Sequence, residues 1–261
     1  MTKFWSQPVQ NLIQKSQAIV LEKSTFFQSP ARILVLHPDL PGIRKQVSLA
    51  YPNANLDEWV MNAKEGEQDS RLSKESVEMV VSHLIMQDVD WPFAAVLQVA
   101  QKLTKGCPWI FTLISDDSGI LIPGQDLAIP FGWDNSPWNL EQIVALSQQQ
   151  GLRNPVFERC RIVCEYPDTE SLLTDIIELK KGICPHINID AQELRNSLLK
   201  IYENTNIQES SPHSILYAIE LMVGVMISSG PGENSSTEQI VEIPLKQVRL
   251  KKNEDQADKK K

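Results

Sequence analysis

An α/β domain around a mostly parallel sheet is the fold class the sequence predicts, on three observations. The first is a set of short strand-like runs, the continuously apolar Ile33-Leu34-Val35-Leu36 and the largely apolar Val77 to Leu84 and Trp109 to Ile114, the pattern of buried strands. The second is the helical segment Trp91 to Leu103 between two of those runs, because strand, helix and strand at this spacing imply a parallel crossover. The third is size: 261 residues with 42% hydrophobic content fit one large α/β domain or two small ones.

Taken in order, Val9 to Lys23 is an amphipathic helix with Leu12, Ala18 and Ile19 among its apolar members. Arg32 to Leu36 is the first strand; a helix follows from Ile43 to Tyr51, then an extended Asn55 to Met61. Val77 to Leu84 is the next buried strand and ends at Ser82-His83. The helix Trp91 to Leu103 is stopped by Lys105-Gly106 and feeds Trp109 to Ile114. Asn139 to Gln150 forms a helix stopped by Gly151, and Val156 to Glu165 runs extended toward Tyr166-Pro167. Two helices follow, Thr169 to Lys180 and Asp190 to Glu203, the second opening with Asp190 as cap and Glu193 three positions on. Ser214 to Val225 is long enough for a helix, but Ile215, Tyr217, Ile219, Val223 and Val225 favour β structure. Ser228 to Glu238 has loop composition, and Ile240-Val241-Glu242-Ile243 reads as a short edge strand or a docked tail. The organisation expected is an N-terminal helix over 1–24, one domain over 25–250, and a disordered basic tail over 251–261.

Formal net charge is -8, and the last thirteen residues, from Arg249, hold six basic and three acidic side chains, so the rest of the chain is more acidic still. That balance disfavours non-specific attraction to nucleic acid or to anionic lipid. No apolar run reaches bilayer-spanning length and the N-terminus lacks an apolar signal core, so a cytoplasmic location is the expectation. Cys107, Cys160, Cys164 and Cys184 lack disulfide-like spacing and read as free thiols; Cys184 and His186 flank a proline with no second pair to complete a zinc tetrahedron, so no metal is expected.

The turn after the first strand is His37-Pro38-Asp39-Leu40-Pro41-Gly42. A strand feeding a phosphate- or nucleoside-binding turn needs glycines there, since only backbone without Cβ passes that close to a ligand. Here two prolines each remove a backbone N–H, and the one glycine comes late.

From Ser76 onward the chain resembles the class I S-adenosylmethionine-dependent methyltransferases, specifically the malonyl-[acyl-carrier protein] O-methyltransferases of biotin synthesis. The resemblance is carried by Ser76 to Gln87, Val99 to Gly106, Ile110 to Leu113, Val156 to Arg159, Tyr166-Pro167, Ser171-Leu172-Leu173, His213 to Val225 and Ile243-Pro244-Leu245, in that order along the chain. It implies a Rossmann-like sheet, mostly parallel with an antiparallel last strand, holding S-adenosylmethionine across the C-terminal ends of the first strands. It also implies methylation of the free carboxyl of malonyl carrier protein, a displacement at an already activated methyl in which the protein mainly binds and aligns.

Set against that family, the site residues deviate together. His37, Pro38, Asp39 and Leu40 stand where the glycine-rich turn belongs, as a rigid connector or as an altered loop in which His37, Asp39 or Gly42 touches a cofactor. Val60 stands at or near the ribose-binding acid; Asp57 and Glu58 lie within a short register shift of it. Asn62 to Arg71 is too short for the usual helix and edge strand, which are expected to be missing or shortened, and Asp69 is the acid left to approach an adenine. Ser82 and His83 occupy the third contact region, with His83 as the aligner of an already ionised carboxylate rather than a general base. The N-terminus, Phe4-Trp5-Ser6-Gln7-Pro8, lacks the Arg and Tyr of the family's lid. Arg159, Arg161, Lys180 and Lys181 are candidates for a patch facing an acidic carrier.

The reading this supports is a degenerate, catalytically silent relative that retains a partner surface for acyl carrier protein or a catalytic homologue, with no cofactor. The alternative is an active S-adenosylmethionine-dependent O-methyltransferase making the methyl ester of malonyl carrier protein in biotin synthesis.

Overall fold

In the computed structural model, the residues described are 6–27, 29–38, 42–60, 76–87, 91–122, 127–133, 140–184, 188–205 and 214–230. Four strands, β1 (Arg32–His37), β2 (Asn55–Val60), β3 (Met79–His83) and β4 (Pro108–Ile114), lie parallel in the order β2-β1-β3-β4. A short hairpin follows, β5 (Gly119–Leu121) and β6 (Ala128–Pro130). The long strand β7 (Leu152–Tyr166) runs in the direction of the first four, and β8 (Ile215–Ser228) runs against them, pairing antiparallel with β4 and β5 on one side and β7 on the other.

The helices are α1 (Gln7–Ser24), α2 (Ile43–Ala50), α3 (Trp91–Lys102), α4 (Leu140–Gln149), α5 (Thr169–Ile183) and α6 (Ala191–Thr205). Alternation along the strands sorts them into two layers. Ile33, Val35, Met79, Val81 and Ile110 face Val20 of α1 with Ile43 and Val47 of α2, whereas Leu34, Leu36, Val80, Trp109 and Phe111 face Val96 and Val99 of α3 with Ile143 of α4. A third cluster joins Val9, Leu12 and Ile13 of α1 to Leu172, Leu173, Ile176 and Leu179 of α5, to Leu198 of α6, and to Ile162 and Ile219 of the long strands.

Local rules explain most boundaries. Ser6 caps α1 by accepting from Val9 N–H, Asp168 caps α5 by accepting from Ser171 N–H at 2.7 Å, and Asp190 accepts from Gln192 and Glu193 N–H at 2.8 and 3.1 Å. The stretch with ambiguous length is strand: β8 has β7 along one side and β4, then β5, along the other, and β-branched residues suit that double pairing. The hairpin β5–β6 is absent from the sequence expectations, because two three-residue strands are too short to show a period. Past β3, Gln87 takes the place of a backbone residue beside β4, its Nε2–H donating to Ile114 O at 2.9 Å and its Oε1 accepting from Ile114 N–H at 2.6 Å.

The expected loss of a helix and an edge strand after the second strand falls on residues 61–75, outside the described residues, as do Ile240 to Ile243 and the basic tail. Among the described residues no helix is long and apolar enough to cross a membrane, and no cluster of side chains has the makings of a metal site. The four cysteines are free, with Cys160 and Cys164 on the same face of β7.

Gly224 marks a tight contact within the sheet. A Cβ there would lie 2.4 Å from Phe111 Cζ and 2.7 Å from Phe157 Cε1. Phe111 is fully buried and its ring already packs 4.4 Å from that of Trp109, so it has no room to retreat. Gly224→Ala is expected to lower stability by about 1–3 kcal/mol through overpacking. Urea denaturation would show this as a lower midpoint at unchanged slope.

Candidate functional site

The C-terminal ends of β1, β2 and β3 bring a row of polar side chains together on the α1–α2 face of the sheet. Val60, the last residue of β2, pairs with His37, the last residue of β1, so the strand ends on valine rather than on an acid. Glu58, opposite Val35, lies on the same face two residues earlier.

His37 is only 5% exposed, and both its ring nitrogens are engaged: Nδ1 lies 2.5 Å from Pro38 O and Nε2 lies 3.0 Å from Glu58 Oε1. The other oxygen of the carboxylate, Glu58 Oε2, lies 3.3 Å from Arg44 Nη1 of α2. One acid thus joins a strand-end histidine and a helix arginine at the mouth of the β1 turn.

His83 ends β3 on the same face and is fully buried. Its Nε2 lies 2.8 Å from Ser16 Oγ of α1, and Ser16 Oγ lies 2.9 Å from Ile13 O. The serine has one proton and donates it to that carbonyl, so its oxygen accepts from His83 Nε2–H, leaving Nδ1 as a bare acceptor. Nδ1 finds no partner among the described residues. Burial, with a smaller contribution from the neighbouring His37, pushes the His83 pKa down to about 3, so the ring stays neutral at ordinary pH.

The remaining sequence candidates are placed as follows. Ser82 points to the opposite face, fully buried, with Oγ accepting from Trp109 Nε1–H at 2.7 Å. Asp57 is held 2.5 Å from Arg32 Nε, whose strand position is the start of β1, the end away from the crevice. Gly42 caps α2 with φ +103°, a conformation glycine adopts without strain, and a Cβ there would lie 3.1 Å from Gln17 Oε1. Asp39 and Asp69 lie outside the described residues. The structure therefore brings His37, Glu58 and His83 together, with Gly42 beside Gln17, and sends Ser82 and Asp57 elsewhere.

Of the basic candidates, Arg159 Nη2 pairs with Asp117 Oδ2 at 2.8 Å, Arg161 pairs with the buried Glu220, Lys180 lies over the Trp133 ring, and Lys181 is exposed. Sequence reasoning missed Arg44, Ser16 and Gln17. The signal for the last two lies in α1: Val9, Leu12, Ile13 and Val20 form its apolar stripe, and Ser16 falls on that stripe as a polar residue with Gln17 next to it, both buried. Gln46 Nε2–H of α2 donates to Gln17 Oε1 at 2.9 Å, tying the two helices.

No family model matches the sequence, and no curated protein matches it either. Solved structures do match. A protein described as a methyltransferase from Bacillus halodurans superposes with a TM-score of 0.51 at 12% identity, covering 82% of this chain and 98% of that one. Phosphoethanolamine N-methyltransferase 2 of Haemonchus contortus, in complex with S-adenosyl-L-methionine, gives a TM-score of 0.45 at 12% identity over 82% of this chain, which spans about half (52%) of its length. The YcgJ protein of Bacillus subtilis gives 0.48 at 9% identity, over 82% of this chain and 98% of that one. The first of these likenesses, together with the strand order β2-β1-β3-β4-β8-β7 and the reversed β8, shows the architecture: the chain has the Rossmann-like fold of class I methyltransferases.

Proposed function

We propose that this chain is a catalytically silent relative of the S-adenosylmethionine-dependent methyltransferases of the malonyl carrier protein type, keeping the fold and a partner surface while having lost the cofactor. The observation that carries the reading is the state of the β2 acids: Asp57 is held by Arg32, and Glu58 is held on both oxygens by His37 and Arg44. A ribose would have to displace one of these ion pairs to gain an acceptor. The buried His37 ring supports the same reading, because it fills the end of β1 and is already engaged on both nitrogens. His83, neutral and buried, has a structural rather than proton-transferring role in this reading, in which its Nε2–H anchors α1.

The partner in this reading is an acidic acyl carrier protein or a catalytic homologue. Lys181 is the exposed basic candidate that such a carrier would meet, whereas Arg159 and Arg161 are already paired with Asp117 and Glu220. Co-purification of the tagged chain with carrier protein at low salt is expected to recover a complex that dissolves as salt rises; no complex in folded material refutes this part.

Isothermal calorimetry with S-adenosylmethionine and S-adenosylhomocysteine is expected to show no saturable binding in the micromolar range. A micromolar dissociation constant for either, followed by methyl transfer to malonyl carrier protein, establishes the active alternative instead.

The assignment of His83 has its own pH signature. Its folded pKa lies below the unfolded value near 6.5, so the unfolded chain binds one more proton between the two, and the stability it confers is present above about 6.5 and lost as pH falls toward 3. His83→Gln, which keeps an N–H for Ser16 and does not titrate, is expected to flatten the stability profile between those limits by up to about 1.4 kcal/mol per pH unit. Urea melts at a series of pH values measure that slope; an unchanged slope overturns the neutral assignment.

A further inference from the structure

β7 lies at the edge of the sheet. It is 15 residues long and pairs with β8 along one side, but with no strand on the other among the described residues. In an antiparallel pair every second residue aims its N–H and C=O away from the partner strand, so the outer side of β7 carries a row of main-chain donors and acceptors. Proteins blunt such edges with proline, bulges, brevity or charge. Here proline and bulge are confined to the beginning: Pro155 and the register shift between Arg153 and Val156 disturb the first residues, whereas Val156 to Tyr166 pairs with β8 without interruption, from Val225 to Ile215. The charges along that regular stretch, Glu158, Arg159, Arg161 and Glu165, are of both signs, so whether they repel a second strand depends on its register.

Exposure alternates along the same stretch. Ile162, Cys164 and Tyr166 belong to the cluster beneath α1, α5 and α6, whereas Arg159, Arg161, Val163 and Glu165 are exposed on the other face. Val163 is 42% exposed, an apolar β-branched residue between Arg161 and Glu165 on its own face. That triplet is complementary to itself when reversed. With two copies of β7 antiparallel about a two-fold axis at Val163, the two valines meet and Arg161 of each copy meets Glu165 of the other. An axis at Arg159, Arg161 or Glu165 sets a charge against itself, and one at Cys160 sets Arg159 against Arg161, arrangements that cross-strand pairing disfavours. An axis at Ile162 or Cys164 sets Val163 against a charge. Arg161 and Glu165 already have contacts within the chain, to Glu220 and Ser214, so they select the register, while main-chain hydrogen bonds and the Val163 contact supply the attraction.

We propose that the chain forms a symmetric dimer by antiparallel addition of its β7 edge to that of a second copy, with Val163 at the two-fold axis. Each copy uses up its own free β7 edge, so the assembly closes at two rather than growing. The interface is separate from the β1–β2 crevice and does not depend on whether S-adenosylmethionine or a carrier protein binds. A formal charge of -8 on each copy opposes association, so the dimer tightens as salt screens that repulsion, the reverse of the salt dependence expected for a carrier complex.

Sedimentation equilibrium of the whole chain at micromolar concentrations is expected to show monomer and dimer, with the dimer favoured as sodium chloride is raised. Val163→Lys sets two ammonium groups together at the axis and is expected to weaken the dimer about tenfold, through the lost apolar contact and the like-charge pair, at an unchanged melting temperature. Val163→Thr, which keeps the β-branch, is expected to retain it. Val163→Cys under mild oxidation is expected to give a dimer linked through position 163, because directly opposed residues of antiparallel strands bring their Cβ atoms to about 4.5–5.5 Å. A peptide map reads that linkage even if Val163→Lys does not fold. A chain that stays monomeric throughout overturns the proposal, as does a dimer that folded Val163→Lys leaves intact or one that Val163→Cys links only through the native cysteines.

Discussion

Glu58 holds the crevice together. Its carboxylate lies between the buried His37 ring of β1 and the Arg44 guanidinium of α2, and it is the acid that joins strand, turn and helix at this end of the sheet. A buried polar ring needs hydrogen-bond partners, because leaving its polar atoms unmet in an apolar interior is costly. In the proposed reading these contacts occupy the acceptor that a ribose would use, so stability of the turn and capacity for a nucleoside compete for one functional group.

The second constraint is the cover laid over that row. α1 packs its apolar stripe against the sheet, but it does so through polar contacts at both ends and in the middle: Ser6 donates to the buried Asp175 beside Tyr166, Ser16 meets His83, Gln17 meets Gln46, and Lys23 pairs with Glu158. Burial pushes the Asp175 carboxyl up, and the hydroxyls of Ser6 and Tyr166 are what keep it acceptable in that place. Apolar contact alone would let α1 slide along its stripe; hydrogen bonds between fixed partners set one register.

Long strands make this cover possible. β8 pairs with β4 along one end and with β5 further on, while β7 follows it for nearly its whole length. That extension carries the sheet beyond β4 and gives α5, α6 and the Phe131–Trp133 loop a surface to pack on. The Trp133 and Lys180 pair arises from this second part of the molecule, where a loop and a helix distant in sequence are pressed together by the same core.

The amino-acid sequence by itself determined the elements and their order. Continuous apolar runs at Ile33 to Leu36 and Trp109 to Ile114, and stop signals such as Lys105-Gly106, depend on neighbours along the chain, and burial on both faces leaves a direct compositional trace. The absence of an acid at Val60 and the poverty of glycine before Gly42 were legible for the same reason. Only the tertiary structure decided what the polar residues do. Glu58 was visible as a nearby acid, but its partners come from β1 and α2; Ser82 and His83 are adjacent in sequence, yet the strand's alternation sends one to Trp109 and the other to Ser16. Whether a side chain is a ligand group or a structural one depends on which atoms stand opposite it, and those are set by packing between segments that a one-dimensional pattern does not bring together.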